Sequence, residues 1–379
     1  MSQIQQFPFV SVAGKPYERG VQYGRAVASR VRLSAARYGQ TLRNLGYSEA
    51  SQTALIRSLE QVIGDFQAAY LDEMRGIAEG ADVPFEDIVM INARTEVLAK
   101  ARAEMALQAD DEDGCTGVLV LPSRSSNGQL IHAQNWDWKA DCADTGIVLR
   151  VRNEDGPDYL TFVEAGGLAR SGLNATGVSI TANYLECERD YMQMGVPLSL
   201  LRRRVLEEAV FANALRVIAT TPKSCSNNIM LGMAEGFGID FECAPNEAFP
   251  IYPGDDQLIV HANHWVSPVA RTKLLDTGAE NSPDSYYRDW RVRQLLNATP
   301  MLDRDAVKAA LFDSFATPFS VCRPPRPGTR HTMTATVAMI VMQPAAGEMD
   351  VAPMPALNRV FTRYSLHHEP LVDVDHAAR

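Results

Sequence analysis

The apolar period of this chain changes at one place, an acidic run Asp110-Asp111-Glu112-Asp113 that leads into Gly114. Before it, Leu55, Leu59, Val62, Phe66, Tyr70, Met74 and Ile77 recur at spacings of three and four, which predicts one face of a helix of about two dozen residues. Gly80 closes that helix and Pro84 follows it. Residues 85–98 read as a second helix with Pro84 near its first turn, and the first 110 residues as a whole read as helical. After the run the period falls to two, or to continuous apolar stretches. Residues 116–121, 130–135, 147–151, 159–163, 178–183, 229–233, 238–242, 258–262, 334–342 and 360–365 read as strands. Asn127-Gly128, Asp155-Gly156 and Glu235-Gly236 mark hairpin turns. One long helix is predicted from Pro197 to about Ile218, and two more near 286–296 and 303–312. Hairpins with intervening helices, rather than strict strand–helix alternation, predict an α+β protein with antiparallel sheets. Consecutive like charges cannot pack together, so the acidic run is expected to be an exposed loop.

Composition removes whole classes of function. With 379 residues, 46% apolar and 22% charged, the chain has ample material for a core, as one large domain or two to three smaller ones. A net charge of −10 without a basic run argues against nucleic-acid or anionic-membrane partners. No apolar stretch approaches the roughly 18 residues that span a bilayer. The first residues, Met1-Ser2-Gln3-Ile4-Gln5-Gln6-Phe7-Pro8, lack a basic segment and an apolar segment of the secretory kind. The six cysteines show no CxxC spacing. A reduced, cytoplasmic protein is the expectation.

The chemistry-bearing residues begin at the period change. Asp113-Gly114-Cys115-Thr116 stands where the acidic run meets the first strand, and a cysteine there is on its own usually a small buried residue. It is followed by Gln134-Asn135-Trp136-Asp137, Glu164-Ala165-Gly166-Gly167, Gly172-Leu173-Asn174-Ala175-Thr176-Gly177-Val178, Asn183-Tyr184, His261-Ala262-Asn263-His264 and Pro318-Phe319-Ser320-Val321-Cys322-Arg323. The His261-x-x-His264 pair lacks the intervening Glu of a helical HExxH site, so no metal is expected. The glycines around 166–177 match neither GxGxxG before a helix nor a Walker loop; tight strand turns are the expectation.

In this order the set resembles the acyl-coenzyme A:6-aminopenicillanic acid acyltransferase (isopenicillin N acyltransferase) family. That family is also classed as self-processing cysteine peptidases among the N-terminal-nucleophile hydrolases. The resemblance extends to Gly14-Lys15-Pro16-Tyr17-Glu18-Arg19-Gly20 with Gly24, to Arg75-Gly76-Ile77-Ala78-Glu79-Gly80, and to Asn92-Ala93-Arg94-Thr95-Glu96. It implies an αββα sandwich of two antiparallel sheets between helical layers. It also implies a precursor that cuts itself between Gly114 and Cys115. The pieces would be a helical leader, 1–114, and a catalytic chain, 115–379, which stay associated as one structural unit. Burial of the seven apolar side chains from Leu55 to Ile77 would contribute on the order of 10 kcal/mol gross to that association, before ordering entropy is subtracted.

The same resemblance assigns roles. Cys115 is the nucleophile, and its freed α-amine is the general base. Asp137 is the carboxylate that orients the α-ammonium, although an aspartate capping a turn would look the same. Asn263 is the oxyanion amide, or else a strand-end asparagine. Arg323 is a cation near Cys115 able to hold a carboxylate substrate, or else half of a surface ion pair. Asn183 and Tyr184 are substrate contacts or a second oxyanion donor. The expected activity is amide hydrolysis or acyl transfer through a Cys115 thioester on a small-molecule amide or acyl-thioester. No cofactor is expected, with acyl-coenzyme A possible as donor substrate, and pocket residues are expected on the leader and on loops such as 186–196. Three alternatives stay open: a penicillin V or bile-salt hydrolase-like enzyme, although those lack the long helical leader; a non-catalytic binding protein on the same fold; and a papain-like protease with a Cys–His pair.

Overall fold

The computed structural model describes residues 4–105, 114–328 and 332–372. The acidic run, expected to be an exposed loop, lies outside them. The predicted strands assemble into two eight-stranded sheets. The first runs, in spatial order, Phe9–Ala13, Gly146–Arg152, Tyr159–Glu164, Ser171–Asn174, Val178–Tyr184, Asn227–Met233, Phe237–Ala244 and Glu247–Ile251. The second runs Leu258–His261, Gly114–Val120, Ile131–Lys139, Met333–Gln343, Glu348–Pro353, Thr362–Ser365 and Leu371–Val372, with Arg326–Pro327 pairing beside Met333–Gln343. Among these described strands one pairing is parallel, Phe9–Ala13 with Gly146–Arg152; the others are antiparallel.

Strand alternation explains the layering. In Gly114–Val120, Cys115 and Leu119 point toward the first sheet, whereas Val118 and Val120 pack with Val292, Leu296, Val307 and Leu311. Those partners belong to helices Ser285–Asn297 and Arg304–Leu311, which cover the outside of the second sheet. The outer face of the first sheet is covered by Leu198–Leu206, Phe211–Thr220 and the N-terminal helices Pro16–Ala26, Ala28–Asn44, Glu49–Ala81, Phe85–Asn92 and Arg94–Glu104. This is the expected α+β class with two sheets between helical layers. A polar seam joins the sheets: His132 lies between the hydroxyls of Ser179 and Thr181 at 2.8 Å each, and Gln134 Nε2 donates to Asn183 Oδ1 at 2.8 Å.

Several expectations need correction. The first 110 residues are not wholly helical, because Phe9–Ala13 is an edge strand whose short alternation is masked by its helical surroundings. The helix read from Leu55 runs over Glu49–Ala81 and loses helical geometry at Gln67 (φ −162°, ψ 98°). It ends at Asp82 in the left-handed region, not at Gly80. The stretches read as single helices over 85–98 and 197–218 each divide, into Phe85–Asn92 with Arg94–Glu104 and into Leu198–Leu206 with Phe211–Thr220. In the second case Val210 adopts an extended conformation between the two.

Gly80 serves packing instead of capping. A Cβ on Gly20 would stand 2.2 Å from the Glu73 carbonyl oxygen, and one on Gly76 would stand 2.2 Å from the Tyr17 carbonyl oxygen. Gly24 and Gly80 meet backbone equally closely, each at 2.4 Å. Helices Pro16–Ala26 and Glu49–Ala81 therefore cross backbone against backbone, and the paired GxxxG spacings are what allow it. Beside the crossing, Arg19 donates to Glu73 at 2.8 Å, and Glu73 also receives Arg203 at 2.9 Å. The Tyr70 hydroxyl donates to Glu207 at 2.6 Å. Gly76→Ala must push the two backbones apart; the expected loss is about 3 kcal/mol or more of unfolding free energy, read from urea denaturation, against a gain of up to about 1 kcal/mol for Gly39→Ala, where a Cβ meets only the end of the Arg43 side chain.

Candidate active site around residue 115

Sheet register gathers the site. Gly114 pairs with Asp137, and Asp137 pairs with Thr336 across the next strand, so three side-by-side strands align these residues in one row. His261 pairs with Gly117; continuing that register by two residues sets Asn263 opposite Cys115. There Asn263 Oδ1 accepts the Cys115 N–H at 2.8 Å and an N–H of Arg288 at 2.8 Å. Two donors on one oxygen fix the orientation of the amide, and its Nδ2 donates to the Tyr184 carbonyl at 2.8 Å. Arg288 also donates to the Cys115 carbonyl at 2.6 Å and to Thr116 Oγ1 at 3.0 Å.

Behind this lies a chain of alternating charge. Arg288 Nε donates to Asp284 at 2.6 Å, Asp284 pairs with Arg323, and Arg323 Nε stands 3.2 Å from Asp137 Oδ2. Asp137 Oδ1 accepts from the Thr336 hydroxyl at 2.6 Å. All four charged groups are buried. Burial works against the charge on Arg323, but Asp137 and Asp284 on either side outweigh it. Burial likewise pushes the Asp284 carboxyl up, and Arg288 with Arg323 hold it below the usual range. Gly114 is wedged into this chain: a Cβ there would lie 2.7 Å from both Arg323 Nη1 and Asp137 Oδ2.

The thiol points the other way, between the sheets. Cys115 sits opposite Trp136 in the ladder, and Arg170 lies 4.1 Å over the Trp136 ring with Nη2 3.9 Å from Cys115 Sγ. The cation at the sulfur is thus Arg170, while Arg323 attends the Gly114 side of the peptide. Asn183 donates through Nδ2 to the carbonyls of His261 and Ala262, at 2.9 and 3.0 Å, and so ties the first sheet to the segment bearing Asn263. Tyr184 takes part through its carbonyl; its hydroxyl is 3.0 Å from that of Tyr191. Cys115, Asp137, Asn263 and Arg323 therefore converge on one peptide bond, with Asn183 and Tyr184 as supports. Sequence reasoning missed Asp284, Arg288, Thr336 and Arg170. Arg288 had a signal, since Ser285, Arg288, Val292 and Leu296 form the buried stripe of their helix.

The segment that carries Asn263 is clamped by a second buried group. His261 Nε2 meets Glu242 at 2.8 Å, and Glu242 Oε2 accepts from the Ser267 N–H at 3.0 Å. His264 does not join a ligand set with His261; its Nδ1 meets the Ser285 hydroxyl at 2.7 Å.

The comparisons with known proteins bear on the same residues. Residues 123–352 match the family model for acyl-coenzyme A:6-aminopenicillanic acid acyl-transferase. The chain belongs to this family. The matched span holds Asp137, Asn183, Tyr184, Asn263 and Arg323, and Cys115 precedes it. The chain is 28% identical over 340 residues to the acyl-coenzyme A:6-aminopenicillanic-acid-acyltransferase 40 kDa form of Emericella nidulans, covering 86% of this chain and 87% of that protein. Among solved structures it is similar to a mutant conjugated bile acid hydrolase from Clostridium perfringens. That match has a TM-score of 0.44 and 11% identity, over 69% of this chain and 99% of that one. Penicillin V acylase from Agrobacterium tumefaciens matches with a TM-score of 0.41 and 15% identity, over 67% of this chain and 86% of that one.

The His261–Glu242 clamp has a pH signature. Burial lowers the imidazole pKa, but Glu242 and Asp240 outweigh it and push it up to about 9, from 6.5. A raised pKa means that the stabilisation is complete below pH 6.5 and is lost as pH rises through about 9. The full shift corresponds to about 3 kcal/mol. Wild-type stability in urea should fall between pH 6.5 and 9 more steeply than that of His261→Gln; parallel profiles would contradict the clamp.

Proposed function

We propose that this chain cuts itself between Gly114 and Cys115 and then works as an N-terminal-nucleophile amide hydrolase or acyltransferase through a Cys115 thioester. The observation that carries the reading is the convergence of Asn263, Arg288 and the Asp137–Arg323–Asp284 chain on this one peptide bond. In the first step Cys115 Sγ attacks the Gly114 carbonyl carbon, the C–N bond breaks, and the nitrogen takes a proton to become a free amine. Water then opens the thioester, releasing the Gly114 carboxylate and the thiol. The absence of a side chain at residue 114 keeps Asp137 and Arg323 packed against the backbone at the reacting carbon.

The second stage reuses the same groups. The new α-amine has an ordinary pKa of about 7.7–8.0 and the thiol one of about 8.5, so the amine can take the thiol proton near neutrality. Asn263 Oδ1 holds that amine in place. Sγ attacks the substrate carbonyl, the leaving amine departs with the proton, and the acyl group remains on sulfur. The second hydrogen of Asn263 Nδ2, the one not given to Tyr184, is a donor for the developing oxyanion, and loss of such a donor typically costs about 10²–10³ in rate. Arg170 favours the thiolate. Water is the acceptor in the simplest version. The relative from Emericella nidulans is named for acyl-coenzyme A and 6-aminopenicillanic acid, which makes acyl transfer to an amine the version with a precedent. The first and second pieces would stay together, because one hydrophobic core includes residues from both, such as Met74, Ile88, Phe162 and Leu200.

Denaturing electrophoresis of purified protein should show fragments of 114 residues and of the remaining 265, which separate only in denaturant. Sequencing of the larger should begin Cys-Thr-Gly-Val, and Cys115→Ala should give one intact band. Intact wild-type chain with no thiol-dependent activity on an amide panel would favour a non-catalytic binding protein. Gly114→Ala should slow the cut at least tenfold, followed as the fraction of intact chain over time, while leaving Cys115 present.

A further inference from the structure

Arg288 holds more of the site together than any single step above requires. It is fully buried, and every nitrogen of its guanidinium is committed. Nε donates to Asp284 at 2.6 Å. One terminal nitrogen donates to the Cys115 carbonyl at 2.6 Å and to Thr116 Oγ1 at 3.0 Å, and the other donates to Asn263 Oδ1 at 2.8 Å. Helix Ser285–Asn297, which carries it, also grips the Asn263 backbone, through the Ser285 hydroxyl that accepts the Asn263 N–H at 2.7 Å. The other buried arginines around Cys115 are engaged elsewhere. Arg170 attends the sulfur, Arg323 pairs with Asp137 and Asp284, and Arg202, on helix Leu198–Leu206, has the Glu96 carboxylate as a counter-charge.

The two ends of an asparagine amide have the same shape, so its neighbours decide which way it points. In the intact chain the Cys115 peptide N–H can only donate, and it demands Oδ1 by itself. A freed, neutral α-amine makes no such demand, because it has a lone pair that accepts as well as hydrogens that donate. Turned end for end, Asn263 would give that lone pair an Nδ2 hydrogen. The amine would then be blocked as a base, and the amide would offer oxygen where the oxyanion needs a donor. Arg288 opposes the turn, since a guanidinium has donors only and keeps its charge at any working pH. A reversed amide would set Nδ2 against the Arg288 N–H and Oδ1 against the Tyr184 carbonyl oxygen, two buried contacts of like polarity.

We propose that Arg288 is the positioning residue that keeps the Asn263 amide the right way round once residue 115 has become a chain start. The proposal rests on the acyl-enzyme reading above. Arg288 acts through Asn263, and its importance begins at the cut, because before it the Cys115 N–H fixes the same orientation.

Two reactions of Cys115 separate this role from a general structural one. Acylation by p-nitrophenyl acetate passes through an oxyanion, whereas alkylation by iodoacetamide displaces iodide at a saturated carbon and forms none. Arg288→Met and Arg288→Lys should still cut themselves to completion. In the cut protein Arg288→Met should lower the acylation rate at least tenfold, within the range that a lost oxyanion donor allows. Arg288→Lys, which keeps the charge but not the fork, should lower it less. Alkylation of Cys115, followed on its own peptide by mass spectrometry, should match wild type in both. In an Asn263→Ala background, adding Arg288→Met should cost almost nothing further, because the amide it orients is gone. Unchanged acylation, equal slowing of acylation and alkylation, a full additional loss in the Asn263→Ala background, or variants that fold but stay uncut would each overturn the proposal. Should Arg288→Met fail to fold, Arg288→Lys decides, by slower acylation with unchanged alkylation against no difference from wild type. Wild-type protein that is alkylated at Cys115 yet neither cut nor acylated would sink the acyl-enzyme reading and the proposal with it. Cut and acylated wild type, with variants that match it, would sink the proposal alone.

Discussion

A buried peptide unit held between opposite charges governs the architecture around residue 115. Asp137, Arg323, Asp284 and Arg288 alternate in sign, so the chain is neutral as a whole although each member is out of water. Such a chain is stable only if every link is present, because removing one member leaves a neighbour charged and unpaired in a low-dielectric interior. Its geometry depends on two sheet registers and one helix. The ladder sets Gly114, Asp137 and Thr336 in a row, the neighbouring edge brings Asn263 alongside, and helix Ser285–Asn297 delivers Arg288 from outside the sheet. A one-residue slip in any of these strands would turn the site residues to the wrong face.

The two faces of Gly114–Val120 then divide the labour. Charge that grips the backbone lies on the helix side; the sulfur, Trp136 and Arg170 lie between the sheets. This separation lets the nitrogen of Cys115 be held rigidly by Asn263 while the sulfur lies beside Arg170 and Trp136, in surroundings of a different electrostatic character. The nitrogen and the sulfur of one residue thus each have their own surroundings.

Much of the fold was legible because long periodic segments report burial directly. The Leu55–Ile77 stripe, most of the strands and the α+β class are of this kind. The breaks inside helices were not legible. Ala93 and Val210 interrupt sequences whose local propensity would allow one continuous helix, and tertiary packing decides the matter. At the site, Cys115, Asp137, Asn263 and Arg323 stood out through the order of their motifs. Arg288 stood among Arg291 and Arg293 on one helix, and Arg202 between Arg203 and Arg204 on another, so composition alone gave each of them a solvated look. Only the facing layer distinguishes a buried arginine from its neighbours.

The ion cluster at the helix crossing has a temporal implication. Glu73, which neutralises Arg203 and Arg19, belongs to the segment before residue 115, whereas Arg203 belongs to the segment after it. A polypeptide synthesised from Cys115 onward would have to bury Arg203 with Glu207 as its sole remaining carboxylate among the described residues, and without the N-terminal helices that help to roof the first sheet. The proposed backbone scission therefore fits this architecture best when the intact chain acquires its tertiary structure first and the bond opens afterwards.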